Sequence, residues 1–236
     1  MIEMWELCGL ENCRFSTFSW RTRLALHHKN LGFTVRPVAV SDKAAIAFSG
    51  QSTVPIIRID DRVVSDSWAI AVFLEREFPD RPSLFGGDIG EQLTRFFNLW
   101  TDRDIVSSLV PNLMRDVLDC VSDADGRHLR AQIEGVLKKP LEELFSEREK
   151  ALQQLRRRLQ PVRKLLQAKP FLGGDTPSYT DYILFGVFQW SRVVSNVEVL
   201  EAGDVVRVWF ERVLDLYDGV GRKERAREER MAEATT

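Results

Sequence analysis

The stretch that decides the fold runs from residue 51 to residue 74 and reads Gln51-Ser-Thr-Val-Pro-Ile-Ile-Arg-Ile-Asp-Asp-Arg-Val-Val-Ser-Asp-Ser-Trp-Ala-Ile-Ala-Val-Phe-Leu74. Two short β-branched runs, residues 56–59 and 63–64, flank Asp60 and Asp61, and this pattern predicts a β-hairpin. Because the turn contains no glycine, we expect a connection longer than two residues.

A helix start follows the hairpin directly. Ser65, Asp66 and Ser67 supply side-chain oxygens just before apolar residues at helical spacing, which predicts a helix N-terminus. Pro55 stands at the entrance of the first hairpin strand and has no N–H to donate. A proline at a strand entrance beside a helix N-terminus offers free backbone groups on one side and N–H donors on the other. Such a site suits a peptide-like ligand that carries a carboxylate.

Composition excludes several function classes. The chain has 236 residues, of which 44% are hydrophobic and 29% charged, with a formal net charge of -2. This is enough chain for one large domain or two modest ones. The near-neutral charge gives no electrostatic footprint for nucleic acid or an anionic membrane. No apolar run approaches the roughly 20 residues that span a bilayer. We also expect no secretory signal, because no basic stretch precedes an apolar one at the N-terminus.

The cysteines and histidines predict neither a disulfide framework nor a metal site. Three cysteines, Cys8, Cys13 and Cys120, are too few for a framework and indicate a reducing, cytoplasmic location. His27 and His28 are adjacent, so they would face different sides of a helix. Because no Cys/His cluster has the spacing of metal ligands, we expect no metal.

The first 80 residues alternate strands and helices. We expect a strand over 2–8, a helix from Ser16 to a stop at Gly32, and a strand over 33–40 that Pro37 places at a sheet edge. A short helix over 41–48 leads to the hairpin. The predicted order is β-α-β-α-β-β-α, so residues 1–80 form a mixed α/β domain.

The pattern then changes to helices alone. Residues 81–89 are rich in proline and glycine and are typical of a linker. Apolar residues at helical spacing continue through 90–221, with a kink expected at Pro111 and a capping box at Ser178-x-x-Asp181. Residues 222–236 are charged and poor in apolar residues, so we expect a flexible tail. The fold class is therefore α/β followed by all-α.

These ordered motifs resemble the cytosolic glutathione transferase superfamily. They are Val54-Pro55 at a strand entrance, Asp66-Ser67 at a helix start, and Ser178-x-x-Asp181 after Phe171-Leu-Gly-Gly-Asp175. Fungal etherase-like relatives share the pattern Ser16-x-x-x-Trp20-Arg-Thr22. Six segments are similar to the bacterial β-etherase-type glutathione transferases, which cleave β-aryl ethers of lignin fragments: Cys13-Arg-Phe-Ser16, Trp20-Arg-Thr-Arg-Leu-Ala-Leu26, Asp66-Ser-Trp-Ala-Ile70, Phe78-Pro-Asp-Arg-Pro82, Phe171-Leu-Gly-Gly-Asp175 and Asp215-Leu-Tyr-Asp-Gly-Val-Gly-Arg222.

The resemblance implies a thioredoxin-like N-terminal domain that binds glutathione, an all-helical C-terminal domain that walls the acceptor pocket, and a homodimer. It implies a cis peptide bond before Pro55, with the Val54 backbone pairing with the cysteinyl part of glutathione as an added strand would. Asp66 and Ser67 would hold the γ-glutamyl end, and Gln51 the glycyl end. Taken singly, these residues also fit a structural proline and an ordinary N-cap.

Ser16 matches the active-site serine of this superfamily. A hydroxyl aimed at the glutathione sulfur beside a helix N-terminus favours the thiolate without a general base. The family often has Ser-Pro here, whereas this chain has Ser16-Thr17, which leaves the aim of the hydroxyl open. Ser19 is an alternative donor one turn further on. Ser16 also fits a plain N-cap.

Two other functions stay open at this point. Cys13 is the nucleophile if the protein is a glutathione thiol oxidoreductase, provided that Arg14 lies close enough to lower its pKa. Cys13 also fits a thiol that is buried or packed in a loop and has no redox role. The protein could instead bind aromatic ligands without catalysis. For a transferase, Trp100, Leu109 and Met114 are candidates to line a pocket for a hydrophobic or aromatic substrate, although their helical spacing also fits a core.

Overall fold

The computed structural model describes residues 1–146 and 148–234, and its first domain is built on a four-stranded mixed sheet. The sheet order is β2-β1-β3-β4, with β1 parallel to β2 and antiparallel to β3, and β3 antiparallel to β4. Pro37 lies in the edge strand as predicted. The elements are β1 (Ile2–Leu7), α1 (Thr17–His28), β2 (Phe33–Val38), β3 (Ile56–Ile59), β4 (Arg62–Ser65) and α2 (Ser67–Glu77), with 3₁₀ turns at Leu10–Asn12 and Ala44–Ser49.

Two turns differ from the predictions. Ile59 pairs with Arg62, so Asp60 and Asp61 alone connect β3 and β4. The expected longer connection is wrong because Asp60 adopts φ 53, a left-handed conformation that aspartate tolerates. The stop assigned to Gly32 is also wrong, since Asn30 takes the left-handed conformation (φ 52) just after α1.

The second domain is entirely helical. α3 continues through a π-helical turn, Thr101–Val106, into α4, and Pro111 lies within α4. α3 begins at Asp88, inside the segment predicted as a linker. No helix in the described part of the chain is long and apolar enough to cross a membrane. The helices are α3 (Asp88–Trp100), α4 (Ser107–Leu118), α5 (Asp123–Leu137), α6 (Leu141–Ser146), α7 (Arg148–Arg158), α8 (Gln160–Leu166), α9 (Tyr179–Val194), α10 (Val205–Leu214), the short α11 (Leu216–Gly219) and α12 (Arg227–Ala234).

The two domains meet where α1 packs on the buried α9. Contact is close enough that a Cβ added at Gly186 of α9 would lie 2.4 Å from the Thr17 carbonyl oxygen. The predicted capping box at Ser178 and Asp181 is present at the start of α9. Asp181 also accepts hydrogen bonds from the loop before α9 and from the Trp209 indole, at 2.8 Å for the latter. α9 therefore provides a rigid support for the start of α1.

The charged C-terminal segment is helical where a flexible tail was expected. Arg227 and Arg230 of α12 donate to the carbonyls of Val194 and Val193 at the end of α9, and Arg230 is buried. α12 was not predicted because charged side chains, and not an apolar stripe, hold it against the rest of the protein. Hydrophobic periodicity therefore does not indicate this helix. Residues 235–236 of the predicted tail lie outside the described residues.

Candidate active site

The N-termini of α1 and α2 converge with residues 51–55 on one cleft of about 340 Å³. The first domain lines the cleft with backbone groups, hydroxyls, apolar side chains, one lysine and two carboxylates, those of Asp42 and Asp66. Six of the residues singled out in the sequence line it: Ser16, Gln51, Val54, Pro55, Asp66 and Ser67.

Ser16 lies at the start of α1 and is half-buried in the wall of the cleft. Its Oγ accepts a hydrogen bond from the Ser19 backbone N–H at 3.1 Å, so Ser16 is the N-cap of α1. A hydroxyl that accepts at its oxygen keeps its own O–H for donation. The helix N-terminus adds a positive potential at the same place. Capping and stabilisation of an anion in the cleft are therefore compatible roles for this one side chain.

Asp66 connects the start of α2 to the entrance of β3. Its carboxylate accepts from the backbone N–H groups of Trp68 and Ala69, both at 3.0 Å, and its own N–H donates to the Pro55 carbonyl at 3.3 Å. Asp66 adopts φ 75, a conformation that non-glycine residues reach only where surrounding contacts support it. The Val54–Pro55 bond is cis, as the resemblance implies. These contacts place free backbone groups and a capped helix N-terminus side by side.

Ser67 joins this site to the second domain. It is the first residue of α2 and is buried, and its carbonyl accepts a hydrogen bond from the Tyr179 hydroxyl at 2.7 Å. Burial raises the pKa of Tyr179 above its usual value, so this phenol stays protonated and keeps donating. Tyr179 opens α9, and α9 supports both helix starts that face the cleft.

Several cleft residues escaped the sequence reasoning. Lys43 lies at the Gln51 end of the cleft, and its Nζ donates to the Ser52 carbonyl at 2.8 Å. Phe18 is 38% exposed and lies beneath the Arg21 guanidinium, which is 4.7 Å from the ring centroid. The sequence offered one usable signal, an aromatic residue two positions after Ser16, because a lone lysine carries no pattern. On the opposite wall stand two residues of α5, Leu129 and Gln132.

A buried carboxylate fixes α5 over the cleft. Asp125 of α5 accepts from the Ser41 backbone N–H at 2.6 Å and from the Ser122 hydroxyl at 2.9 Å. Burial opposes the ionisation of Asp125, but the hydrogen bonds from Ser41 and Ser122 outweigh it and lower the pKa. The charged carboxylate therefore ties the loop that carries Lys43 to the helix that carries Leu129.

The alternative catalytic residues are not brought to the cleft. Cys13 is only 1% exposed, and its Sγ faces the Val193 carbonyl at 3.8 Å. Arg14 donates to Glu6 and Asn12 and does not serve Cys13, whose pKa is raised by a hydrogen bond to Cys120 and by burial. The side chain of Ser19 is also buried away from the cleft.

The three acceptor-pocket candidates do not line the cleft either. Leu109 and Met114 are packed in the hydrophobic core, where they are 0% and 5% exposed. Trp100 packs against the same core and against Phe97, with ring centroids 5.4 Å apart. The structure places these residues in or against the core, and not in the pocket that was predicted. The pattern could not tell the two apart, because helical spacing alone does not separate a core face from a pocket face.

Two family models together cover most of the chain. The N-terminal domain of glutathione S-transferase matches residues 15–77, and its C-terminal domain matches residues 92–218. Glutathione S-transferase 1 of Dianthus caryophyllus is 34% identical over 74 residues, which are 29% of this chain. Since those residues are 34% of that protein, the chain spans about a third of the length of this relative.

Solved structures share the fold over both domains. A glutathione S-transferase of Ceriporiopsis subvermispora in complex with glutathione has a TM-score of 0.73 and 22% identity, with 94% of each chain covered. Glutathione transferase GSTFuA3 from Phanerochaete chrysosporium has a TM-score of 0.74 and 25% identity, again with 94% of each chain covered. The first domain is thioredoxin-like, and the second is all-helical, as predicted. The chain therefore belongs to the glutathione S-transferase family.

Proposed function

We propose that this protein is a glutathione transferase that binds glutathione in the cleft and uses the Ser16 hydroxyl to favour the thiolate. The observation that carries the proposal is the meeting of Ser16, the cis Val54–Pro55 segment and the Asp66–Ser67 helix start in one cleft. A thiol is a weak nucleophile while it is protonated, so a donor beside a helix N-terminus supplies what the reaction needs.

The chemistry of the cleft walls suggests how glutathione lies in it. The free backbone groups of Val54 pair with the cysteinyl unit, as an added strand would. At the γ-glutamyl end, the start of α2 and the Ser67 hydroxyl bind the carboxylate, and Asp66 attracts the ammonium. At the other end, Lys43 and Gln51 bind the glycyl carboxylate. This arrangement points the sulfur toward Ser16.

The second substrate enters from the side of the cleft that faces α5. Phe18 and Leu129 offer apolar surface there, which suits a hydrophobic, aromatic compound. For a β-aryl ether, the thiolate attacks the β-carbon, a C–S bond forms, the C–O bond breaks, and the phenolate leaves and takes up a proton. The three cysteines are free, which fits a reducing cytoplasm as the place of this reaction.

Turnover of a fluorogenic β-aryl ether with glutathione, run on both enantiomers, tests the proposal. We expect release of the fluorescent phenol together with a glutathionyl thioether, both dependent on glutathione. An electrophilic aryl halide in parallel separates ether cleavage from general transfer. Tight binding of aromatic compounds without turnover of either substrate would instead indicate a binding protein. A mixed disulfide with glutathione on Cys13 would indicate the thiol oxidoreductase.

An apolar stripe on α3 supports a homodimer as part of the proposal. Ile89, Leu93, Phe96 and Leu99 follow one another at helical spacing and are 79%, 66%, 71% and 53% exposed. A monomer in water rarely leaves such a stripe uncovered, so a second copy is its expected partner. Light scattering should give the mass of two chains, and Phe96→Asp should halve it. The mass of one chain for the unmodified protein would contradict the homodimer.

A further inference from the structure

Two buried thiols meet outside the glutathione cleft. Cys13 lies in the loop before α1 and Cys120 in the turn after α4, and they are 1% and 7% exposed. The Cys13 Sγ donates to the Val193 carbonyl and the Cys120 Sγ to the Val194 carbonyl, so the two sulfurs lie against adjacent residues at the end of α9. The backbone fixes this meeting, because the Leu10 N–H donates to the Cys120 carbonyl at 2.8 Å. A Cβ added at Gly9 would lie 2.3 Å from the same oxygen, so the loop lies directly against the turn.

Two arginines neutralise the helix end that faces these thiols. Cys13 Sγ lies 3.8 Å from the Val193 carbonyl, and Cys120 Sγ lies 4.0 Å from the Val194 carbonyl. The carbonyl end of a helix is negative and would oppose a thiolate. Arg230 donates to the Val193 carbonyl, and Arg227 Nη1 donates both to the Val194 carbonyl at 2.9 Å and to Cys120 Sγ at 3.2 Å.

The two thiols differ in acidity. A hydrogen bond with Cys13, followed by the charges of Arg227 and Arg230, outweighs burial and lowers the pKa of Cys120. The same hydrogen bond and burial raise the pKa of Cys13. Glu224 also faces Cys13 and disfavours its thiolate. One member of the pair is therefore a nucleophile, and the other is a protonated thiol held beside it.

A small pocket of about 170 Å³ opens beside Cys120. Cys120, Arg227 and Arg230 all line it, and it shares no lining residue with the glutathione cleft. Its size suits a hydroperoxide. The pocket is lined by Leu10, Glu11, Asp119, Cys120, Arg227, Arg230 and Met231.

We propose that Cys120 reacts with hydroperoxides and that Cys13 then closes a disulfide with it. The Cys120 sulfur attacks the distal oxygen of the peroxide: an S–O bond forms, the O–O bond breaks, and the leaving oxygen takes up a proton. The Cys13 sulfur next attacks the sulfur of this sulfenic acid, an S–S bond forms, and water leaves with the Cys13 proton. Two thiols are oxidised and one peroxide is reduced. The new bond ties the loop before Ser16 to the helical domain.

Oxidation of the full-length protein with hydrogen peroxide, in the absence of other thiols, tests this inference. We expect each chain to lose two hydrogen atoms in intact mass, and peptide mapping to find Cys13 bonded to Cys120. Cys8 is more exposed, but burial raises its pKa, so we expect it to remain a free thiol at least about tenfold longer. Oxidation of Cys8 first, or peroxide doses that leave Cys13 and Cys120 both reduced, would overturn the proposal.

Variants assign the roles. In Cys13→Ser, dimedone should label a sulfenic acid on Cys120, whereas Cys120→Ser should leave Cys13 unoxidised. Arg227→Gln should slow Cys120 oxidation about tenfold at neutral pH, since it removes a direct donor to the sulfur. Lys223→Gln is the matched control, because Lys223 belongs to the same C-terminal segment but faces His27. Equal slowing by both substitutions, with native circular dichroism, would refute the role of Arg227.

Discussion

Replacing Ser16 separates its two roles, because capping and donation use different parts of the hydroxyl. Ser16→Ala removes the acceptor for the Ser19 N–H and also the O–H donor. Ser16→Gly removes the donor too, but glycine at an N-cap costs only a few tenths of a kcal/mol, whereas alanine costs about 1 kcal/mol. The two variants should therefore differ in the free energy of unfolding but share the same loss of activity.

The size of that loss follows from the hydrogen bond to the thiolate. A hydrogen bond to a charged group contributes about 1.5–3 kcal/mol, and about 1.4 kcal/mol shifts a pKa by one unit. The thiol of bound glutathione should therefore titrate roughly one to two pH units higher in Ser16→Gly. Below the thiol pKa, kcat/KM for a chromogenic electrophile falls with the thiolate fraction, by about 10- to 100-fold. Above pH 9 the difference from the unmodified enzyme should shrink.

Ser19→Ala is the matched control, because it deletes a buried hydroxyl one turn away and keeps the backbone N–H that Ser16 caps. We expect its kcat/KM and pH profile to match those of the unmodified enzyme. Cys13→Ala should also retain transferase activity. The reasoning is refuted if Ser16→Gly keeps full activity at pH 6.5, or if Cys13→Ala or Ser19→Ala lowers kcat/KM more than Ser16→Gly does.

Three further predictions concern the surroundings of Ser16. Asp66→Asn should keep the cap and the free energy of unfolding while raising KM for glutathione roughly three- to tenfold, because it removes the charge that attracts the ammonium; an unchanged KM would argue against this contact. Gly186→Ala should lower the free energy of unfolding in urea by about 1–3 kcal/mol, since the added methyl meets the Thr17 carbonyl, and a neutral effect would contradict the close packing of α9 on α1. Burial lowers the pKa of His28 in the folded protein, so the unfolded chain binds more protons below about pH 6.5. The contribution of neutral His28 to the free energy of unfolding is fully present above that pH and is lost as pH falls through the folded pKa. His28→Gln should therefore reduce the dependence of unfolding free energy on pH between 7 and 5. An equal change of unfolding free energy with pH in both proteins would contradict this prediction.

The hairpin and the start of α2 were predictable because each is specified by neighbouring residues. Two β-branched runs set β3 and β4, and Asp66 supplies an oxygen at the position that a helix N-terminus requires. The turn itself was not predictable in detail, since Asp60 took a conformation that usually indicates glycine. Local rules give the preference of a residue type, and tertiary contacts decide which allowed conformation is used.

The walls of the cleft show the limit of the sequence argument. Ser16, Gln51, Val54, Pro55, Asp66 and Ser67 belong to ordered motifs, so they could be proposed together. Leu129 and Leu109 are both apolar residues at helical spacing, yet one faces the cleft and the other is in the core. That difference depends on how α5 is placed by the Asp125 hydrogen bond to Ser41, a contact between residues far apart in sequence.

The same limit applies to the thiol pair. Cys13 and Cys120 are separated by 107 residues in sequence, and their contact depends on the packing of a loop, a turn and α12. The arginines of α12 looked like an ordinary charged tail, because charge without periodicity carries no information about partners. Burial of Arg230 against the end of α9 gives that segment a role that composition conceals.

The most direct test of the central claim is the titration of the thiol of bound glutathione, followed through the ultraviolet absorbance of the thiolate. In the unmodified protein, the pKa of this thiol should lie at least one unit below the value of about 8.5 that a free cysteine thiol has. In Ser16→Gly it should return close to that value while glutathione stays bound. The same lowered pKa in both proteins would contradict the role of the Ser16 hydroxyl, and an unshifted pKa in the unmodified protein would contradict thiolate activation in this cleft.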